Sequence, residues 1–440
     1  MVPLPPSSLT RRRLLAGLGL GAAAVGAPGL LAGCGGGSTG LDGGGAEPGG
    51  GGAKPNLKVW YHQYGESGTQ QAVERYAKDY PDATIKVQWT PGDYTSKVNS
   101  GLLSGDGPDV FEGSANLAMV RANQIVPLDD ILEPIRSDYT DADLKSITVD
   151  GKLYGARIVD DTVLLYYRKS VLEKAGVNPP TTLDELVSAA KELTTPDQKG
   201  LFIGNDAGVT PAYGGGSMLG PVLWSVGQNY LTPDNKINFT GDNVVAALGK
   251  LKQLVDDKSI LLGAPTDYWD PSSFTQGLCA MQWTGLWAMP AIQQALDDDF
   301  GIVPFPPFSA TIGKPSTPQG GWSAMVSAKS GNVDAAKAYI KWLWLDNTAF
   351  QEDFNLSYGF HIPPRKSLAA KAAKLQSGPA AEAVKFYNDY AIAGGTTWSP
   401  AMNNALGDAA TAIVRKGQDP STSLNAAVKT VQQQLDQLLG

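Results

Sequence analysis

Cysteine and histidine are scarce in this chain of 440 residues: Cys34 and Cys279 are its only thiols, His62 and His361 its only imidazoles. The two cysteines lie in unrelated contexts, one closing an apolar leader and the other inside a core-like run, so no structural disulfide is expected between them. Two histidines without cysteines at ligand spacing leave no zinc site of the usual kind, and no spaced carboxylate cluster suggests another metal. Neither a metal nor a cofactor is expected. Charge is sparse as well, at 18% of residues, and the net charge of −8 comes without a lysine–arginine stripe to neutralise phosphates. Nucleic acid is therefore not an expected partner. Internal repeats are absent too.

Glycine and proline are plentiful instead, at 52 and 30 residues, beside 42% hydrophobic residues. That balance suits a soluble globular protein of about two domains.

The N-terminus reads as an address. "TRRRLLAGLGLGAAAVGAPGLLAGC" opens on three arginines and runs through small and apolar residues to a cysteine, the pattern of an export signal. A membrane-spanning helix fits less well, because Gly17, Gly19, Gly21, Gly26, Pro28 and Gly29 are poor helix formers. Leu31-Ala32-Gly33-Cys34 resembles the lipobox of bacterial lipoproteins, which implies cleavage before Cys34 and a diacylglycerol on its thiol. Thr10-Arg11-Arg12-Arg13-Leu14-Leu15 resembles a twin-arginine export signal, with leucine where phenylalanine is usual. Loss of residues 1–33 removes three arginines and no acid, so a net charge of −8 becomes −11. Residues 34–54, the lipidated cysteine and a Gly-rich linker, cannot bury a core. About 20 such residues reach roughly 25 Å.

The body begins with a strand pattern at Leu57-Lys58-Val59-Trp60-Tyr61. Val73, Tyr76, Ala77 and Tyr80 follow at helical spacing, and Ile85 and Val87 alternate with polar residues, which makes a βαβ unit. Thr182 and Glu185 form a T-x-x-E capping box before a helix whose face carries Leu183, Leu186, Val187 and Ala190. Leu424, Val428, Val431, Leu435 and Leu438 line a last helix, expected to dock on its own lobe.

Ordered motifs then carry a resemblance. "GDGPDVFEG" (105–113), "QIVPLDDIL" (124–132), "GKLYG", "LLYYRKSVLEKAGVNPPTTLDEL", "FTQGLCAMQWTGLW" (274–287), "FGIVPFPP" (300–307), "GGWSAMVSAKSGNVDAAKAYIKWL" (320–343) and "GFHIPPRKS" (359–367) follow one another in the chain. In that order and spacing they resemble the extracellular solute-binding proteins of family 1, the sugar-type substrate-binding lipoproteins of ABC importers. The resemblance spans roughly 55–440. It implies an α/β, two-lobed periplasmic-binding-protein-like fold (type II) with an interlobe cleft and a hinge. Lobe one is expected over 55–157 and 305–348, lobe two over 158–304 and 349–440, with hinge crossings near Tyr154–Asp161 and Ile302–Phe308. It implies capture of a mono- or oligosaccharide, delivery to ABC permease transmembrane subunits, a lipid anchor on the membrane, a monomeric state and no catalysis.

A sugar offers hydroxyls at its edge and C–H groups on its faces, so its site wants polar side chains and aromatic rings. By motif position Asp161 matches an acidic hinge residue and Trp287 a stacking tryptophan, with Asp160 and Trp283 beside them. His62, Tyr64 and Glu66 follow the first strand, and Glu112 and Asn116 the next, where parallel sheets present carboxyl ends to ligands. Gly320-Gly321-Trp322 looks like the family's glycine pair, bringing backbone N–H groups to the ligand at Gly321, with Trp322 stacking. Trp224, Trp269, Trp398 and Arg365 are second-lobe candidates. Each has a plainer alternative in core packing or loop pinning. Glu66, Glu112, Asp160 and Asp161 together make a negative cleft if they face inward, which suits a neutral sugar or, next, a polyamine. A carbohydrate-active hydrolase using paired carboxylates and an adhesion or sensor lipoprotein are the readings from other classes. In "CAMQWTGLWAMP", residues 280–282 are expected as strand, Gly285 as turn and Ala288 onward as helix, with Cys279, Met281 and Met289 in the core.

Overall fold

The computed structural model describes residues 54–211 and 216–440. The leader of residues 1–33, Cys34 and the glycine-rich stretch to 53 lie outside them.

Nine strands build two sheets: β1 (Asn56–His62), β2 (Thr84–Thr90), β3 (Val110–Gly113), β4 (Ala156–Asp161), β5 (Val163–Tyr167), β6 (Lys199–Phe202), β7 (Cys279–Gly285), β8 (Gly301–Val303) and β9 (Gly320–Val326). The first sheet has the order β2-β1-β3-β9-β4 and the second β8-β5-β7-β6. β1 runs parallel to both β2 and β3, whereas β9 is antiparallel to β3 and to β4. The C-terminal ends of β1, β3 and β4 and the N-terminal end of β9 therefore share one edge of the first sheet.

The strands β4, β5 and β7 are buried on both faces, since successive side chains leave a strand on opposite sides and nearly all of theirs are covered. Leu57, Val59 and Tyr61 enter one core and Trp60 another. Val163 and Leu165 face a core built with the helices Leu183–Glu192, Asp242–Asp256, Pro400–Val414 and Pro420–Leu439, while Leu164 and Tyr166 face a separate one. Leu424, Val431 and Leu435 of the last helix are buried in the second-lobe core, and Leu438 also touches a cluster of the first. Thr182 caps its helix through the Glu185 N–H, but the Glu185 carboxylate turns back to the N–H of Thr181, one residue earlier than the usual box.

The chain passes from β4 in one sheet to β5 in the other across Thr162, and returns between β8 and β9. It leaves a third time after the helix Thr348–Leu356: Phe350 and Phe354 still pack with the first core, whereas Leu356 and Ile362 belong to the second lobe. The first core thus reaches beyond the 348 boundary read from the sequence. Asp160 and Ile362 exchange both main-chain bonds, which ties the first passage to the third.

Candidate binding site

His62 ends β1 and Glu112 lies one residue from the end of β3, so parallel pairing brings them to the same edge. Glu112 is 2% exposed. Its Oε2 accepts from the His62 main-chain N–H at 2.9 Å and meets His62 Nδ1 at 2.7 Å, while Oε1 accepts the Tyr64 hydroxyl at 2.5 Å. Tyr94 closes the rear: its hydroxyl donates to the Trp60 carbonyl and accepts from the Glu112 N–H. Burial, with Glu112 adding to it, pushes the Tyr64 phenol well above its usual range, so it stays a donor. The His62 ring lies between Tyr64, at a centroid distance of 3.9 Å, and Trp322, stacked at 4.0 Å.

A second cluster holds Glu66, His361 and Asp161, all buried side chains. His361 Nδ1 bonds Asp161 Oδ2 at 2.6 Å. Nε2 stands 2.6 Å from Glu66 Oε1, a close ion contact that lies off the hydrogen-bonding direction, since both atoms lack a hydrogen-bond partner. Burial by itself favours the neutral ring, but Asp161 and Glu66 on its two sides hold the proton well above the usual histidine range. Burial also raises Glu66, and His361 more than reverses it, leaving that carboxyl below its usual range. For Asp161 burial prevails over His361 and the carboxyl stays raised.

Behind these, Arg157 serves two carboxylates. It pairs with Asp160, reaches Asp143 at 4.0 Å and donates to the Gly320 carbonyl at 2.7 Å. Burial opposes its charge; Asp160 and Asp143 restore it. Burial pushes Asp160 well up even so. Gln319, on the second passage, donates to Asp143 at 2.8 Å.

The second lobe contributes Trp287 at the start of the helix after β7. Its Nε1 donates to the Trp269 carbonyl at 2.9 Å, and its ring lies across Gly285, where a Cβ would stand 1.9 Å from it. Cδ1 of the same ring is 3.9 Å from the Cβ position of Gly65, in the loop after β1. Residues from both lobes therefore meet here.

The structure thus gathers His62, Tyr64, Glu66, Glu112, Asp161, Trp322 and Trp287. It places the other candidates elsewhere. Asp160 points away from them into the Arg157 pair. Asn116 caps the helix Leu117–Arg121 by accepting the Met119 N–H. Gly321 is required by the sheet: at φ +99° a Cβ would sit 2.0 Å from the Val159 carbonyl. Trp283 is fully buried, edge-on to Phe305. Trp224 is buried with its Nε1 on Asn229, and Trp398 packs on Tyr230 and Phe239. Arg365 pins a loop through Asp138 and the Leu345 carbonyl. Trp269 is half exposed and meets Trp287 through its carbonyl. Sequence reasoning passed over His361 and Arg157. Each had a signal: one of two histidines inside a quoted motif, and a lone cation in a strand buried on both faces. Nor is the cleft a bare negative surface, because His62, His361 and Arg157 engage the four acids expected to make it so. Among the described residues no three His, Cys, Asp or Glu side chains form a metal-holding group.

Residues 61–344 match the family model "Bacterial extracellular solute-binding protein". The Bacillus subtilis arabinooligosaccharide-binding protein is 24% identical over 285 residues, 61% of this chain and 64% of that relative, so the match spans less than two thirds of its length. A solute-binding protein from Thermotoga lettingae, solved with α-D-tagatose, superposes with a TM-score of 0.73 at 20% identity over 87% of this chain and all of that one. UgpB from Mycobacterium tuberculosis, in complex with glycerophosphocholine, gives 0.72 at 20% identity, covering 88% of this chain and 100% of its own. The fold is that of the α/β periplasmic binding proteins. The chain belongs to the bacterial extracellular solute-binding protein family and is a binding protein, not an enzyme; the hydrolase alternative falls away.

Proposed function

We propose that this chain captures a neutral carbohydrate, a mono- or oligosaccharide, between its lobes and passes it to the permease subunits of an ABC importer. The observation that carries this is the meeting of His62, Tyr64 and Trp322 on one lobe with Trp287 on the other, aromatic faces beside polar edges, as a sugar ring requires. A solute touching both lobes would favour their closure about the passages at Thr162, 304–319 and 357–361. The names of the arabinooligosaccharide-binding relative and the tagatose-bound structure support the substrate class; the glycerophosphocholine complex shows that the fold alone does not dictate it. In this reading the protein is a monomer tethered through a lipid on Cys34 after export by the twin-arginine route. Loss of membrane association in Cys34→Ala checks the tether.

A polyamine is the second reading, supported by the buried Asp161 Oδ1, which lacks a hydrogen bond. A thermal-shift screen separates the two, since a solute binding only the native state raises the melting point by mass action. Neutral sugars should raise it. A rise with spermidine or glycerophosphocholine and with no sugar would overturn the carbohydrate reading.

A further inference from the structure

Glu112 was expected to touch the solute, yet its carboxylate is already spent on the protein. Oε2 takes the His62 main-chain N–H and meets Nδ1, and Oε1 takes the Tyr64 hydroxyl. An ionised carboxylate only accepts, so the proton in the 2.7 Å contact rides on Nδ1 of His62. In the neutral ring this leaves a lone pair on Nε2. Among the described residues Nε2 has no partner, and the side chain is 16% exposed. Turning the ring over would exchange Nδ1 for carbon and break the Glu112 contact. Tyr64 and Trp322 on its two faces leave only the edge for a solute. The other titratable groups facing this ring are Tyr94, at 6.0 Å between centroids, and Glu66, which is held by His361.

We propose that Glu112 is a positioning residue: it fixes the tautomer of His62 so that Nε2 meets the solute as a hydrogen-bond acceptor. The site then selects solutes that donate an O–H or N–H at this point and turns away those that present a carboxylate or phosphate oxygen there, because two acceptors repel. This rests on the solute-binding reading above and sharpens it to the chemistry of one contact.

The test exploits the scarcity of histidine. A 15N-labelled sample of the full chain shows only two imidazoles, and His361→Gln assigns them. Two-bond proton–nitrogen spectra of the solute-free protein, at a pH where the ring is neutral, should find His62 protonated on Nδ1 and bare on Nε2. Glu112→Gln, whose amide oxygen still accepts, should keep that form. Glu112→Met should release the ring to the Nε2–H form that free histidine favours. For the sugar giving the largest thermal shift, Glu112→Met should also cut the preference over its phosphate ester by about tenfold, the scale of one hydrogen bond. An Nε2–H ring in the unaltered protein overturns the proposal without any variant having to fold, as does a Glu112→Met spectrum identical to the original. The spectra contain no solute, so a failed sugar screen would strike the carbohydrate reading and leave this assignment standing.

Discussion

Asp160 and Asp161 are consecutive residues at the end of β4 that face opposite ways, the first paired with Arg157 and the second with His361. Strand geometry imposes this, because successive side chains leave a strand on opposite sides. The place where the chain changes lobes is consequently flanked by two ionic clusters, one holding the second passage through Gln319 and Gly320, the other holding the third through His361.

Arg157→Met should be severely destabilising. It leaves Asp160 and Asp143 buried without their cation, and breaking a buried pair by removing one partner costs about 3–5 kcal/mol. Urea unfolding followed by tryptophan fluorescence measures it. A loss below about 1 kcal/mol would mean the arginine is dispensable to the hinge.

The His361 cluster gives stability a defined pH dependence. The folded ring keeps its proton to a pH well above that of the unfolded one, so the folded state binds more protons once pH exceeds the unfolded value of about 6.5. Its contribution is complete below that pH and is lost as pH rises toward the folded pKa. The melting temperature should fall over that window, and His361→Gln should flatten the slope there. An unchanged slope in the variant would assign the dependence to another group.

Gly321→Ala should perturb the pairing of β9 with β4. A Cβ would meet the Val159 carbonyl at 2.0 Å, at a backbone φ of +99°. The cost should be about 1–3 kcal/mol, with a change in the near-ultraviolet dichroism of the adjoining Trp322. Wild-type stability would show that the strands separate freely at this bulge.

Trp283 and Trp287 stand four residues apart in the chain and should separate in function. Trp283→Ala opens a cavity in the second core and should cost about 3–5 kcal/mol, whereas Trp283→Phe should leave sugar affinity within about twofold. Trp287→Ala should lower that affinity about tenfold or more, as loss of a well-placed aromatic contact does. Calorimetry on folded variants checks both. The reverse pattern would put Trp283 at the solute.

The strand ends were legible in the chain itself. "LKVWYHQY" and "PDVFEG" announce buried strands by their apolar alternation, and parallel sheets gather their carboxyl ends, so His62, Tyr64, Glu66 and Glu112 were found as a group. The roles within the group were not. Nothing local distinguishes Glu112, which the protein consumes, from an acid left within a solute's reach. The tryptophans show the same limit: Trp283 and Trp287 share one motif, and only the facing of β7 against Phe305 sends the first into the core.

Composition and the order of motifs determined by themselves that this is a two-lobed binder with scarce histidine, because those properties are carried by short contiguous stretches. Which charges are free was decided only by tertiary structure. His361 meets Asp161 across 200 residues of chain, and Glu112 meets His62 across 50. The charge a carboxylate offers to a solute depends on partners that only the closed topology brings within hydrogen-bond reach.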